Sequence, residues 1–255
     1  MKKFFVFDID GTLLDENKKM PQSTKNSIRK LKELGHQIAI ATGRNYKSAY
    51  PIIEELELDT YIVCNGSVGF VDHEKVYETT LPRQDLEKLI QLAQDNGDQL
   101  VFATVDDYRR HFEPHGEAMG IVFGDFLHLQ PAWDETFWKQ EGIIQCNLFC
   151  QPENVSKYEL DSVRLVSWHE YGMDVIDKNM SKAKTILQVA KDRGIAKEDV
   201  VFFGDGHNDI EALQLSGLGI AMGNASEEVK QHADYITANA SEDGIFKALQ
   251  NFKFL

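Results

Sequence analysis

Two carboxylates separated by a single residue, Asp8 and Asp10, follow the apolar run at residues 4–7 and precede Gly11. Four apolar residues without polar alternation predict a strand buried on both faces, as in the centre of a parallel sheet. Residues two apart in an extended chain point to the same side, with about 6.6 Å between their Cα atoms. The two acids can therefore share one divalent cation at the carboxyl end of this strand, although Asp and Gly are also common wherever a strand simply turns.

The segment Thr42, Gly43 and Arg44 ends a second apolar run, at residues 37–41. A threonine hydroxyl and the neighbouring backbone N–H groups can donate hydrogen bonds to a phosphoryl oxygen, and an arginine adds positive charge. Thr42 could equally be the N-cap of the helix that follows, since Thr is a common capping residue. The sequence leaves both interpretations open.

Three further candidates for phosphate or metal chemistry occur late in the chain. Lys182 stands immediately before an amphipathic helical pattern, where most lysines are solvated surface charges. Asp205 and Asp209 follow another apolar run, at residues 200–203, and lie in a glycine turn four residues apart. Magnesium prefers oxygen ligands and keeps waters, which suits one or two carboxylates together with a substrate phosphate. We expect His207, in the same turn, to be a loop residue rather than a metal ligand.

In this order, four segments resemble the signature of the haloacid dehalogenase superfamily of phosphotransferases. They are the DxDGT segment at residues 8–12, Thr-Gly-Arg at 42–44, the isolated Lys182 and the GDGxND segment at 204–209. The resemblance covers nearly the whole chain, and the long gap between the second and third segments is similar to the Cof-like subfamily, which carries a large inserted cap domain. The family commonly follows its lysine with glycine, whereas this chain has Ala183.

The resemblance implies a role for each motif residue. Asp8 would attack phosphorus to give an aspartyl phosphate, which agrees with the need of a weak carboxylate nucleophile for a cation beside it. Asp10 would offer its backbone carbonyl to the metal, protonate the leaving oxygen and then accept a proton from water, while Asp209 would bind the metal directly or through water. The predicted set is catalytic Asp8, Asp10, Thr42 and Lys182; substrate-binding Thr42, Gly43, Arg44, Asn65, Lys182 and Asn208; and metal-binding Asp8, Asp10, Asp205 and Asp209, with Mg²⁺ as the cofactor.

Asn65 belongs to this set through its position alone. It follows a third short apolar run, at residues 61–64, and begins an Asn-Gly-Ser turn at the same predicted sheet edge. Its side chain could contact the substrate or only shape the loop.

The elements that must position these residues alternate between strand and helix at both ends of the chain. This alternation predicts an α/β fold with a doubly wound, Rossmann-like parallel sheet. Residues 81–178 break the pattern, with a helix at 84–96 and strands near 100–103, 108–112, 143–150, 163–168 and 173–176, which favours an antiparallel sheet covered by helices. We therefore predict a catalytic core at residues 1–80 and 179–255 and an inserted α+β cap at 81–178.

The resemblance implies that the cap covers the active-site edge and selects the leaving group. Cap side chains that could contact substrate are Arg109, Arg110, His111, His115, Trp133, Trp168 and His169. A basic cluster is more often a solvated face, however, a residue such as Trp168 more often belongs to a core, and a lone histidine is more often structural.

Composition limits the class of protein. The chain has 255 residues, of which 42% are hydrophobic and 27% charged, as is usual for a soluble globular protein. The net charge of −14 argues against nucleic-acid binding. No apolar run is long enough to span a bilayer, and three cysteines cannot all pair internally, so we expect a cytoplasmic protein without a signal peptide.

The function predicted from the sequence is that of a Mg²⁺-dependent phosphatase acting on small phosphorylated metabolites. Sugar phosphates are favoured as substrates, followed by cofactor phosphates such as pyridoxal or flavin phosphate. A phosphomutase would use similar residues, and a non-catalytic metabolite sensor could share the fold, so both remain alternatives. The expected partner is a small-molecule substrate, without nucleic acid or membrane, for a monomer or weak homodimer.

Overall fold

The computed structural model describes residues 2–113, 116–125 and 131–255. The strands of these residues are β1 (Phe4–Phe7), β2 (Gln37–Ala41), β3 (Tyr61–Val63), β4 (Val68–Val71), β5 (Glu74–Glu78), β6 (Gln99–Ala103), β7 (Tyr108–Arg110), β8 (Gln145–Phe149), β9 (Val163–His169), β10 (Gly172–Asp177), β11 (Val200–Gly204), β12 (Leu218–Ala221) and β13 (Tyr235–Ile236). The α-helices are α1 (Gln22–Glu33), α2 (Tyr46–Glu55), α3 (Arg83–Asn96), α4 (Glu117–Asp125), α5 (Lys182–Asp192), α6 (Ile210–Leu215), α7 (Glu227–Lys230) and α8 (Gly244–Asn251).

The chain divides into two compact units. The first unit comprises Met1–Arg44, Ser48–Tyr77 and Ser181–Leu255, and the second comprises Asn45–Lys47 and Glu78–Met180. Each unit has its own sheet and its own apolar core. The use of the second unit as a substrate-specificity domain stays a prediction.

The first unit is built on an eight-stranded sheet in the order β13-β12-β11-β1-β2-β3-β4-β5. The six strands from β13 to β3 are parallel, with β1 between β11 and β2. All four residues of β1 are fully buried, as the unbroken apolar run predicts. The α/β fold with a doubly wound, parallel-dominated sheet is therefore confirmed.

Both faces of this sheet are covered, because successive residues of β1 point in opposite directions. Phe4 and Val6 pack in a core with Ile186 of α5 and Leu213 of α6. On the other face, the ring of Phe5 lies edge-on to that of Phe254, with 5.1 Å between the ring centroids. A central strand that is buried on both faces holds its carboxyl end in a fixed position.

A hairpin of β4 and β5 extends the sheet at one edge, where the sequence reasoning gave no strand. β4 runs antiparallel to β3. The two-residue turn Asp72 and His73 has positive φ angles at both positions, 53° and 64°. Such a turn matches the right-handed twist of the two strands, but it is usually marked in sequences by Asn-Gly or Asp-Gly. The polar edge strand and the unusual turn residues explain why the pattern missed this hairpin.

The second unit contains a five-stranded antiparallel sheet in the order β7-β6-β8-β10-β9. One face packs on α3 and on the 3₁₀ segment Pro152–Tyr158, with Leu89 and Phe102 in the shared core. At the other face, Met119 of α4 packs with Val101. Helices against an antiparallel sheet agree with the prediction, whereas α4 was not predicted.

Cys64, Cys146 and Cys150 are all free and buried. None of the helices in the described part of the chain is both long enough and apolar enough to cross a membrane.

Candidate active site

The predicted motif residues come together at the carboxyl ends of the parallel strands of the first unit. Asp8 follows β1 directly, Thr42 follows β2, and Asp205 follows β11. Lys182 is the first residue of α5, whose start is capped by the Ser181 hydroxyl accepting from Lys184 N at 3.3 Å. Parallel neighbours β2, β1 and β11 bring these distant segments of sequence to one edge.

Lys182 lies at the centre of this site. Its ammonium donates to Asp8 Oδ1 at 2.6 Å and to Asp209 Oδ1 at 2.7 Å, and its side chain is only 1% exposed. Burial by itself lowers the pKa of Lys182, but the carboxylates of Asp209 and Asp8 outweigh burial and raise it above its ordinary value. The ammonium therefore stays charged at any physiological pH, unlike the solvated surface lysine that is usual at such positions.

Asp209 is held by the backbone of its own turn. Its Oδ2 accepts hydrogen bonds from Asp205 N at 3.0 Å and from Gly206 N at 2.9 Å. A side chain at Gly204 would place its Cβ 2.6 Å from Asp209 Cγ, so the close approach requires glycine. The GDGxND segment thus folds into a tight turn that fixes one carboxylate against Lys182.

Asp205 is fixed from two other segments. Its Oδ1 accepts from the Thr12 hydroxyl at 2.9 Å, and its Oδ2 accepts from Asn224 Nδ2 at 3.2 Å. Asn224 also donates to the Gly11 carbonyl at 2.8 Å, so it ties together the loops after β1, β11 and β12. The sequence reasoning missed Asn224, although Gly223-Asn224 directly follows the apolar strand β12 and its Met222, the same signal that identified the other loops.

Asp8, Asp205 and Asp209 form a carboxylate cluster in which one oxygen from each lies within 4.8 Å of the others. Burial first, and then the neighbouring carboxylates, raise the pKa of Asp8 well above its ordinary value despite Lys182. Burial and Asp209 likewise raise the pKa of Asp205 to about 7. Hard oxygen donors that are crowded with negative charge are the kind of ligand set that Mg²⁺ binds, so the residues fit a divalent cation.

Asp10 does not belong to this carboxylate cluster, and its own carboxylate is paired with Arg44. Arg44 Nε and one terminal nitrogen donate to the two oxygens of Asp10, each at 2.7 Å, and Lys18 Nζ donates to Oδ1 at 2.9 Å. Burial alone raises the pKa of Asp10, but the hydrogen bonds and charges of Arg44 and Lys18 lower it to about 2. Lys18, in a loop with positive φ, gave no signal in the sequence.

Thr42 lies directly after β2, at the same sheet edge as Asp8, and it is not the N-cap of the helix that follows, which was the alternative interpretation. It is buried, and its Oγ1 accepts from Arg44 N at 3.1 Å. Gly43 lies between the two, and α2 starts only at Tyr46. Because Oγ1 is the acceptor in that bond, the hydroxyl proton can still be donated to a phosphoryl oxygen.

Asn65 and Asn208 contact each other. Asn208 Nδ2 donates to Asn65 Oδ1 at 2.8 Å, and Asn65 is 1% exposed. His207, between the motif residues, instead contacts Glu228 on the surface, as expected for a loop residue.

The candidate cap residues lie in the second unit and make local contacts there. Arg109 donates to Asp107 at 2.5 Å, and Arg110 pairs with Glu113. His111 is packed edge-on to Phe102. Trp133 and Trp168 are exposed. His169 Nδ1 accepts a hydrogen bond from Tyr171 N. His115 lies outside the described residues.

The family model described as haloacid dehalogenase-like hydrolase matches residues 5–249. The Bacillus subtilis protein named "Putative phosphatase YkrA" is 34% identical, over 99% of this chain and 98% of its own. The pyridoxal phosphate phosphatase YbhA of Escherichia coli is 28% identical over 95% and 96% of the two chains.

A solved structure, described as the subclass IIB sugar phosphatase BT4131, superimposes with a TM-score of 0.89. It is 30% identical and covers 100% of both chains.

Proposed function

Because the chain belongs to the haloacid dehalogenase-like hydrolase family, we propose that it is a Mg²⁺-dependent phosphatase that hydrolyses small phosphorylated metabolites through a phosphoenzyme on Asp8. The observation that carries this proposal is the buried ammonium of Lys182, held between Asp8 and Asp209 beside Asp205. A site of this kind supplies a nucleophile, a fixed positive charge and a carboxylate ligand set within one cluster, which is what phosphoryl transfer requires.

Asp8, Asp205 and Asp209 would hold the Mg²⁺ ion. The bound ion would neutralise the negative charge of the substrate phosphate and of the carboxylates, a Lewis-acid contribution that is worth several kcal/mol in such reactions. Asp209 would bind the ion less directly, through a water molecule. Its Oδ2 already accepts hydrogen bonds from two backbone N–H groups, and its Oδ1 accepts one from Lys182.

Asp8 is the nucleophile in this mechanism. Lys182 fixes Asp8 Oδ1, so the other carboxylate oxygen attacks phosphorus while the bond from phosphorus to the leaving oxygen breaks. Lys182 and the Thr42 hydroxyl hold the phosphoryl oxygens as charge shifts onto them. Water then attacks the aspartyl phosphate and restores the carboxylate of Asp8.

Asp10 is the general acid and base. With its pKa lowered to about 2, Asp10 is ionised, as the acceptor of a proton from the attacking water must be, but it is a weak base while Arg44 and Lys18 hold it. To protonate the leaving oxygen in the first step it must first gain a proton, which its bonds to Arg44 and Lys18 oppose. We therefore assign to Arg44 a shift from Asp10 toward the phosphoryl group when substrate binds.

Sugar phosphates are the favoured substrates, and cofactor phosphates are second. The likeness to the sugar phosphatase BT4131 and to the pyridoxal phosphate phosphatase YbhA supports both classes. The three free, buried thiols support a reducing, cytoplasmic compartment. We expect a monomer or weak homodimer.

Release of inorganic phosphate tests the proposal. A panel of sugar, nucleotide and cofactor phosphates is incubated with Mg²⁺ or with chelator, for wild type and Asp8→Asn. We expect Mg²⁺-dependent release that Asp8→Asn loses while its circular dichroism spectrum stays native. Full activity in Asp8→Asn would exclude Asp8 as the nucleophile, and isomerised product without released phosphate would identify a mutase.

A further inference from the structure

The loop after β3 has an unusual backbone. Cys64, Asn65 and Gly66 have successive positive φ angles of 50°, 54° and 96°. A left-handed conformation costs a residue with a Cβ about 1–2 kcal/mol, and asparagine tolerates it better than most residues. Three in succession persist only where the surroundings determine them.

Those surroundings are the segments that carry the proposed phosphate ligands. Asn65 N donates to the Thr42 carbonyl at 2.9 Å, which joins the loop to the segment after β2. The Thr185 hydroxyl of α5 donates to the Gly66 carbonyl at 2.6 Å. A side chain at Gly66 would place its Cβ 2.8 Å from Lys182 N, and closer still to the Ser181 carbonyl, so the loop lies directly against the start of α5.

The third connection is made by the side chain of Asn65. Its Oδ1 accepts from Asn208 Nδ2 at 2.8 Å. This bond uses one N–H of the Asn208 carboxamide. It also fixes the direction of the other N–H, because both lie in one rigid planar group. Asn65 itself is 1% exposed, whereas Asn208 is partly exposed.

We propose that Asn65 is a positioning residue of the active site rather than a substrate ligand: its carboxamide orients Asn208, and its left-handed backbone joins the segments that carry Thr42 and Lys182. This inference rests on the proposed function, in which Asn208 is expected to bind the substrate. Asn65 thus acts through other residues, and the effect of its carboxamide must disappear when Asn208 is absent.

A double-mutant cycle tests this dependence. Asn65→Gly removes the carboxamide and keeps the backbone, since glycine adopts positive φ without strain. We expect Asn65→Gly to lower kcat/KM about tenfold, as befits one hydrogen bond to a group that acts in the reaction. Asn208→Ala should lower it at least as much, and the double variant should lose no more than Asn208→Ala alone. Lys253→Gly, another residue with positive φ, at 58°, is the matched control and should keep wild-type kinetics.

Orthovanadate binding in Mg²⁺ buffer, measured by calorimetry, provides a second readout that needs no turnover. The same cycle should show the same lack of additivity in the vanadate dissociation constant. If Asn65→Gly does not fold, Asn65→Ser replaces it, because the serine hydroxyl is too short to reach Asn208. Losses that multiply in the double variant, or wild-type vanadate binding by Asn65→Gly, would overturn the inference. Vanadate coupling without phosphate release by wild type would overturn the proposed function alone.

Discussion

Three carboxylates and one ammonium share the buried cluster at the strand ends. When all four groups are ionised, the cluster carries excess negative charge. Burial first, and the negative charge of Asp209 second, raise the pKa of Asp205 to about 7. The pKa of this acid is higher in the folded protein than its ordinary value of 3.8, so between these two values the folded state holds the proton that the unfolded chain has released. The free energy of unfolding therefore falls as pH rises from about 4, and the full cost is present above pH 7.

The first prediction concerns Mg²⁺ and pH together. A cation beside Asp8 and Asp205 cancels the repulsion that appears on ionisation, so Mg²⁺ should raise the melting temperature more at pH 8 than at pH 5.5. The expected increment is about 2–4 °C for each kcal/mol in a chain of this size. Differential scanning calorimetry in Mg²⁺ and in chelator at the two pH values measures it, and an equal Mg²⁺ shift at both would contradict this account.

Two variants identify the carboxylate whose ionisation makes the Mg²⁺ effect on the melting temperature depend on pH. Asp205→Asn removes the titrating charge and should raise the melting temperature of the metal-free protein at pH 8 while abolishing most of the Mg²⁺ shift. Asp107→Asn is the control, because Asp107 lies in the second unit. Burial raises the pKa of Asp107, but the hydrogen bonds from Tyr108 N and Arg109 lower it below its ordinary value, so Asp107 is ionised across this pH window. Its loss should leave the pH dependence of the Mg²⁺ shift unchanged.

At the scale of elements, tight glycine turns let the strand-end loops approach each other. Gly11, after β1, has a φ of 77°, and a Cβ there would lie 2.6 Å from Asp205 Cγ and closer still to its Oδ2. Any side chain at this position must displace the carboxylate that Thr12 and Asn224 hold in place. The residue at position 11, in the loop after β1, thus determines where the carboxylate of Asp205, in the loop after β11, can lie.

We predict that Gly11→Ala loses Mg²⁺ binding as well as stability. Left-handed strain should cost about 1 kcal/mol, and the displaced Asp205 should weaken Mg²⁺ binding measured by calorimetry by at least tenfold. Gly194→Ala separates the two effects, because Gly194 has a similar φ of 68° with no atom within 4 Å of an added Cβ. It should lose comparable stability in urea denaturation and bind Mg²⁺ normally. Equal Mg²⁺ affinity in both variants would refute the close-approach argument.

The sequence predicted the elements that position this site because their signals are local. Unbroken apolar runs ending in polar residues identified β1, β2 and β11, and amphipathic spacing identified α5. The structure brings Asp8, Lys182, Asp205 and Asp209 together as that pattern requires, while their catalytic roles stay predictions.

Other features depend on tertiary packing and left no local signal. α4 has no polar face that would reveal helical periodicity in its sequence EAMGIVFGD. The pairing of Asp10 with Arg44 depends on two side chains 34 residues apart, and Lys18 reaches Asp10 from a loop with positive φ. The orientation of Asn65 toward Asn208 likewise arises only when β3 and β11 belong to one sheet.

At the scale of the whole molecule, each unit depends on its own core. The core of the second unit includes Tyr158, a fully buried side chain whose hydroxyl donates to Asp98 Oδ2 at 2.7 Å. Burial raises the pKa of Asp98 despite this bond and a second bond from Asn154. The buried carboxyl therefore depends on its donors, and the loss of one should affect this unit first.

The last prediction follows from that separation. Tyr158→Phe keeps the packed ring but leaves Asp98 without one donor, which should cost about 1–3 kcal/mol because a buried polar group loses its partner. Hydrogen exchange followed by mass spectrometry should show faster exchange in β6, β8 and α3, and unchanged exchange in β1, β11 and α5, because these elements belong to different cores. Tyr235→Phe, whose ring packs edge-on to Phe252 in the first unit, is the matched control and should leave both patterns intact. Faster exchange in both units of Tyr158→Phe would mean that the two cores unfold as one, and the active-site cluster would then depend on the packing of the second unit.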